Sequence, residues 1–358
     1  MTEPRTRPWM PPIPAPLQRL FDHFPLKTYP PNDLPARSPR PSALPTLYVF
    51  ASEEDAAAGR PSFNPSCLKW QTLLRLSQTP HLLQPSTNHA SPTGSLPFLL
   101  PPIPSTSPTT TTTTTLPPRP IPSTRLESYI LTSTTSPSPS SLLITPTPSL
   151  PPETALRQEP YLSLLTSPIR AAWLTALYLD PTNTPLLESL YITPASTSPL
   201  VRAALLRQLR SAAEAEVLRI ITPTAGTGGW KLSINSYLEF GPGAAPPRGP
   251  AVIDLGEVYK EAEKAFESLA LLLRESETGW FFGVEKPGVF DAGVFAYTYL
   301  VEVMGAEEGG RRRGLEWRDG GRLDGLVRRA GDGELVRHRE RVWEAGWGEG
   351  GSRGEKAE

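Results

Sequence analysis

The stretch NPSCLKWQTLLRLSQTPHLLQPSTNHASPTGSLPFLL, residues 64–100, decides the fold. Asn64 is a good N-cap, because its short side-chain oxygen reaches the free N–H groups of a first helical turn. Pro65 suits the first helical position, where a missing N–H is harmless. Leu68, Leu73, Leu74 and Leu76 follow at helical spacings. HLLQP (81–85) reads as a short strand. NHASPTGS (88–95) holds turn residues, and Leu96-Pro97 then enters an apolar run. Just upstream, TLYVFA (46–51) is β-branched and aromatic, a buried-strand pattern. Strand, helix, strand, loop and proline-led strand together predict the first half of a small α/β unit with a right-handed crossover.

Outside this unit the chain changes character. Residues 1–45 form a proline-punctuated extension with one short amphipathic piece, in which Leu17, Leu20, Phe21 and Phe24 fall on one helical face. That piece is either a docking segment or a strap over its own domain. The first domain is expected over 46–150, with a Pro/Ser/Thr-rich insertion at about 101–123 that includes the threonine run Thr109 to Thr115. TRLESYIL (124–131) interrupts the low-complexity stretch with helix-compatible content. Residues 151–347 then read as helices: 160–180, broken near Pro168; 184–192; 199–221, amphipathic; and 254–277. In the last of these, Val258, Ala262, Ala265, Phe266, Leu269 and Leu273 form one stripe. A buried helix begins near Gly288, with Asp291 placed to accept backward from free N–H groups. A final helix runs from about Gly333 to Trp347 with Leu335, Val336, Val342 and Trp343, and 348–358 is a tail.

Composition removes several classes of function. The chain has 358 residues with Lys+Arg 35 and Asp+Glu 36, so the formal charge is −1. Such a chain has no global field to attract nucleic acid or anionic lipid, although a local patch is still allowed. The 45 prolines cannot sit in helix interiors or central strands in such numbers, so the folded part is smaller than the length implies. With Cys67 alone there is no internal disulfide and no cysteine metal cluster, which fits a reducing, cytosol-facing location. MTEPRTRPWMPPIPAP (1–16) has no apolar h-region and its prolines would break an amphipathic transit helix, so no targeting segment is expected. No run of about 18 apolar residues occurs, so no membrane-spanning helix is expected.

The familiar catalytic patterns are missing: no GxSxG, no phosphate loop ending in Lys-Ser or Lys-Thr, no HExxH and no CxxC. AGTGGW (225–230) reads as a plain loop. His23, His81, His89 and His338 share no ligand spacing, so no metal is expected. Cys67 lies near a helix start, where the dipole can lower a thiol pKa. A small apolar residue packing the first turn is the simpler reading. Lys69 and Trp70 read either as an exposed recognition edge or as one solvated and one core residue. Arg311, Arg312 and Arg313 are flanked by Glu307, Glu308 and Glu316, which reads as a solvated loop rather than a nucleic-acid patch.

The order of these parts resembles glutathione-transferase-like proteins. The resemblance implies an α/β plus all-α fold: a thioredoxin-like N-terminal domain followed by a C-terminal helical domain. Leu96-Pro97 falls where that family keeps a cis-proline. Lys286-Pro287 through Asp291 to Tyr297 falls where it keeps the N-capping box of a core helix, with Gly288 in place of Ser or Thr at the cap. LFDHFPLKTYPPNDLP (20–35), NPSCLKW through SLPFLL (64–100), GWFFGVEKPGVFDAGVFAYTYL (279–300) and ELVRHRERVW (334–343) resemble metaxins, including the fungal metaxin-like subunits of the mitochondrial sorting and assembly machinery.

That resemblance implies a non-catalytic peripheral subunit on the cytosolic face of the mitochondrial outer membrane, without a cofactor. Its implied partners are the β-barrel insertase subunit, a second metaxin-like subunit and β-barrel precursors, whose β-signal it helps to receive. Membrane contact would run through partners only. The expected contact surface is a sheet edge or the first-helix face at Asn64, Ser66, Lys69 and Trp70, with Leu17, Phe21 and Phe24 as the docking segment. Pro97 and Asp291 have structural roles. The alternative is a glutathione-transferase-type enzyme. It would use Ser66 or Cys67 at the first-helix start and Glu127-Ser128 after the cis-proline strand, although the Pro/Thr-rich insertion separates Pro97 from Glu127 where the family has a tight hairpin. A scaffold elsewhere in the cytosol is a third reading.

Overall fold

A computed structural model describes residues 42–102, 119–133, 152–221, 253–304 and 316–348. The expectations placed on Leu17, Phe21, Phe24, His23, the threonine run, 225–230, Arg311–Arg313 and the tail from 349 lie outside the described residues.

The first strand, β1 (Thr46–Val49), leads through α1 (Glu53–Ala57) to the first long helix, α2 (Pro65–Leu76). Helix α1 was not anticipated from the sequence. It is started by Ser52, whose hydroxyl accepts from the Asp55 N–H at 3.1 Å. Strand β2 (Leu82–Pro85) returns parallel to β1, and β3 (Phe98–Leu100) and β4 (Ile121–Pro122) complete a sheet of order β2-β1-β3-β4. Thr46 faces Leu82 in the parallel pair, and Tyr48 faces Phe98 in the antiparallel pair. The Leu96-Pro97 bond before β3 is cis, as expected. Helix α3 (Ser123–Ser133) claims the interruption in the low-complexity stretch.

Strand alternation sorts this sheet into two faces. Leu47, Val49 and Leu99 point to one side, against Cys67, Leu73 and Leu74 of α2 and Leu126 and Ile130 of α3. Thr46, Tyr48, Leu82, Phe98 and Leu100 take the other side. There Tyr48 stacks on Phe98 at 4.4 Å, and Leu82 is 46% exposed.

The rest of the described chain is helical. Helix α4 joins four pieces, Pro152–Leu164, Leu165–Ile169, Arg170–Leu174 and Thr175–Leu179, with the second and fourth wound as π-turns. The break expected near Pro168 does not occur. A π-turn widens the helix locally and accommodates a residue that has no N–H and crowds the preceding turn. There follow α5 (Thr184–Leu187 and the π-turn Glu188–Ile192), α6 (Pro199–Ile221), α7 (Leu255–Arg274), α8 (Val289–Val303), α9 (Arg322–Arg329) and α10 (Glu334–Trp347). The stripe foreseen on α7 is buried at every position. Each such large apolar side chain contributes about 1.5–3 kcal/mol relative to exposure. Helix α9 escaped the sequence reading.

The thioredoxin-like sheet and the helical domain share one compact unit from Ser42 onward. Leu68 of α2 belongs to the helical core, while Ala292 of α8 belongs to the sheet core. Small residues of α8 lie at this seam. A Cβ placed on Gly293 would lie 3.4 Å from Leu165 Cδ1 and 3.9 Å from Lys69 Cδ. A second seam is aromatic: Phe295, Tyr299, Trp343 and Trp347 stack at 5.2, 5.2 and 5.5 Å. The column ends on the Arg75 guanidinium of α2, 4.0 Å from the Trp347 ring centre.

Candidate functional site

The start of α2 is built around Asn64. Its backbone is extended, so its side chain can turn back over the first turn. Oδ1 accepts from the N–H groups of Ser66 at 3.0 Å and Cys67 at 3.3 Å. Nδ2 donates to the Tyr191 hydroxyl at 3.1 Å. Asn64 therefore ties the first domain to α5. Tyr191 in turn meets Phe50 and Phe63 edge-on at 5.3 and 5.2 Å. Half-buried aromatic rings thus line the junction beside the helix start.

The predicted site residues part company here. Ser66 is exposed. Cys67 is fully buried in the sheet core, and burial pushes its thiol up to about 12, against weaker opposing hydrogen bonds from Phe50 and Ser62. A thiol held there stays protonated, so the helix dipole does not yield a thiolate. Lys69 is half-buried at the seam with α8. Its ammonium lies 4.9 Å from the Trp70 ring centre. Burial lowers its pKa, and the nearby Glu127 carboxylate opposes that shift. Trp70 is half-buried against the sheet core. Glu127 and Ser128 are exposed on α3. Of the polar groups named on the first-helix face, Asn64 and Lys69 are thus engaged within the molecule.

The second structural residue, Asp291, is 2% exposed. Its Oδ2 accepts from the Gly288 N–H at 2.9 Å, the backward bond expected at a cap without a side chain. Its Oδ1 accepts from the Phe281 N–H at 3.1 Å and lies 3.0 Å from His338 Nε2. A carboxylate only accepts, so Nε2 carries the proton. Nδ1 has no partner among the described residues. Sequence reasoning missed His338 as Asp291's partner because 47 residues separate them. A signal existed: Leu335, His338, Val342 and Gly346 follow one helical face, and all four are buried. Among the described residues, no group of three or more His, Cys, Asp or Glu is placed to hold a metal ion.

The sheet edges are poor strand acceptors. Leu82 and Ser86 donate their N–H groups to Pro45 and Val49, so the intervening alternation turns the Leu83 and Pro85 backbones outward on β2. Pro85 has no N–H to offer, and β4 on the opposite edge is two residues long.

A family model described as "Glutathione S-transferase N-terminal domain" matches residues 65–112. No curated protein matches the chain. With the small four-stranded sheet and the helical remainder, the match gives the chain a glutathione-transferase-like fold.

Proposed function

We propose that this chain is a non-catalytic, peripheral subunit of the sorting and assembly machinery for β-barrel proteins, at the cytosolic face of the mitochondrial outer membrane. In this reading it binds the insertase subunit beside a second metaxin-like subunit and helps receive the β-signal of precursors. The observation that carries the reading is at the helix start: Cys67 is buried with its thiol pushed up to about 12, and Asn64 is committed to the cap and to Tyr191, so of the two candidate nucleophiles Ser66 alone is exposed. The partner assignment is supported by the resemblance of the stretches at 20–35, 64–100, 279–300 and 334–343 to metaxins. Among the described residues, no helix is long and apolar enough to cross a membrane.

The weak sheet edges favour docking on a face over strand addition. The contact surface in this reading comprises the exposed start of α2 at Ser66, the accessible part of Trp70 and the apolar sheet face at Leu82. Affinity purification of the tagged chain from mitochondria is the test. The native chain is expected to bring down the β-barrel insertase, and Ser66→Arg with Trp70→Ala is expected to lose it while far-ultraviolet circular dichroism and cooperative thermal unfolding are retained. Failure of the native chain to retain the insertase, or turnover of an electrophile with glutathione by the purified protein, would overturn the reading.

A further inference from the structure

Helix α6 and the turn before it are one place where the chain's near-neutral balance breaks down locally. Between Glu188 and Glu214 the sequence carries three arginines, Arg202, Arg207 and Arg210, and no acidic residue. The stretch from Ser189 to Val201 has no charge at all. In the structure its tip is a protruding turn, with Thr193, Pro194, Ala195, Thr197, Ser198 and Pro199 exposed. At the end of that turn Leu200 is 84% exposed and Val201 45% exposed. They are followed on the outer face of α6 by exposed Ala203, Ala204, Arg207 and Gln208.

Two of the arginines are partly held. Arg202 donates to Glu188 and to the Thr193 hydroxyl at 3.3 Å each, and Arg210 donates to the Tyr178 carbonyl at 3.2 Å. Arg207 is exposed and makes no ion pair among the described residues. Its exposed guanidinium is available to an anion, whereas Arg202 is already paired with Glu188.

We infer that the 193–207 tip is a direct docking surface for an anionic lipid bilayer. An uncharged turn ending in large apolar groups enters the acyl boundary at little desolvation cost, and exposed Arg207 behind it sits at headgroup level. An anionic bilayer supplies diffuse negative charge for Arg207 together with an apolar layer for Leu200 and Val201. The inference goes beyond the expectation of membrane contact through partners by adding a direct contact. It is independent of which protein the chain binds, because lipid binding is read without a partner.

The experiment is sedimentation of the purified full chain with vesicles of phosphatidylcholine, alone or mixed with phosphatidylserine. Binding is expected on the mixed vesicles only, weakening as salt is raised. Leu200→Glu, Val201→Glu and Arg207→Glu are each expected to weaken it by about fivefold or more. All three positions are exposed, so the fold should tolerate them. Depth is read with Thr197→Cys carrying a polarity-sensitive dye; Cys67 is fully buried, so the new thiol takes the label. A blue shift on mixed vesicles supports insertion. No vesicle binding, equal binding by Leu200→Glu, or an unshifted dye would overturn the inference. So would loss of insertase co-purification by Leu200→Glu with vesicle binding intact, which would mark the tip as a protein surface instead.

Discussion

Helices α6 and α8 show how little length says about anchoring. Helix α8 has 15 residues and buries ten of them, among them Phe290, Asp291, Phe295 and Leu300. Helix α6 has 23 residues and buries Ala213, Glu216 and Val217. The shorter helix packs against α2 of the sheet domain and against α10, so both cores lean on it. The longer one is fastened mainly along its second half, where Glu216 meets Arg170 in a two-pronged pair whose Nη2–Oε2 arm is 3.2 Å. Buried contact, rather than hydrogen-bonded turns, decides which helix belongs to the global folding unit and which can open alone.

The sharpest way to break this comparison is Asp291→Ala. It strips acceptors from the Gly288 and Phe281 N–H groups and leaves the buried His338 ring without a partner. A global loss of about 3–5 kcal/mol is expected in denaturant unfolding, the range for removing one partner of a buried pair. A loss below about 1 kcal/mol would show that α8 is not a keystone. The same variant should expose Cys67 to thiol reagents, which the native protein should resist until it unfolds.

Glu216→Ala should behave differently. Arg170 loses its carboxylate, and amide exchange on α6 is expected to rise by about 10–100-fold, or about 1.4–2.7 kcal/mol of local stability. Exchange on α8 and the protection of Cys67 should not change. Parallel acceleration in both helices would erase the distinction between them.

Acid should act outside both helices. His81, whose Nδ1 lies 2.8 Å from the Thr79 carbonyl, is pushed down to about 4, chiefly by burial. Above pH 6.5 the ring is neutral whether the chain is folded or not. As pH falls from 6.5 toward 4 the unfolded chain takes up the proton first, so stability is lost across that window. About 1–2 kcal/mol is expected after allowance for its partial exposure. His81→Gln should flatten the curve of stability against pH and leave the order of α6 and α8 in exchange untouched.

The smallest effect belongs to Arg202→Ala. Its pair with Glu188 is half-exposed, and its loss should change stability by no more than about 0.5 kcal/mol. A larger loss would mean that the first half of α6 is held more firmly than its burial implies.

What could be read from the residues alone follows the same division. Local chemistry was legible: Asn64-Pro65 opens a helix, Leu96-Pro97 enters a strand, the Val258–Leu273 stripe is buried, and Asp291 caps backward. These features depend on neighbours a few residues away. What stayed hidden depends on distant neighbours. The helix expected over 199–221 is present, but it is not amphipathic as expected: its apolar residues are spread around the axis with almost no preferred face, and Leu200 is 84% exposed. Lys69 reads as a surface residue until its stem is seen to pack beside Gly293 of α8, and His338 reads as isolated until Asp291 arrives from another helix. Pro168 reads as a break because a π-turn leaves no trace in spacing. At the candidate site the cap was foreseen, while the commitment of Asn64 to Tyr191 and the burial of Cys67 were tertiary outcomes.

The ring column from Phe295 to Arg75 has a practical consequence. Trp343 and Trp347 lie 5.5 Å apart with their planes within 8° of parallel, close enough for their electronic transitions to mix. Because the pair is also flanked by Tyr299 of α8 and Arg75 of the sheet domain, its optical activity should change as soon as the last helix swings away and loses both neighbours. The chain carries a built-in gauge of whether its two halves are seated, readable without any dye.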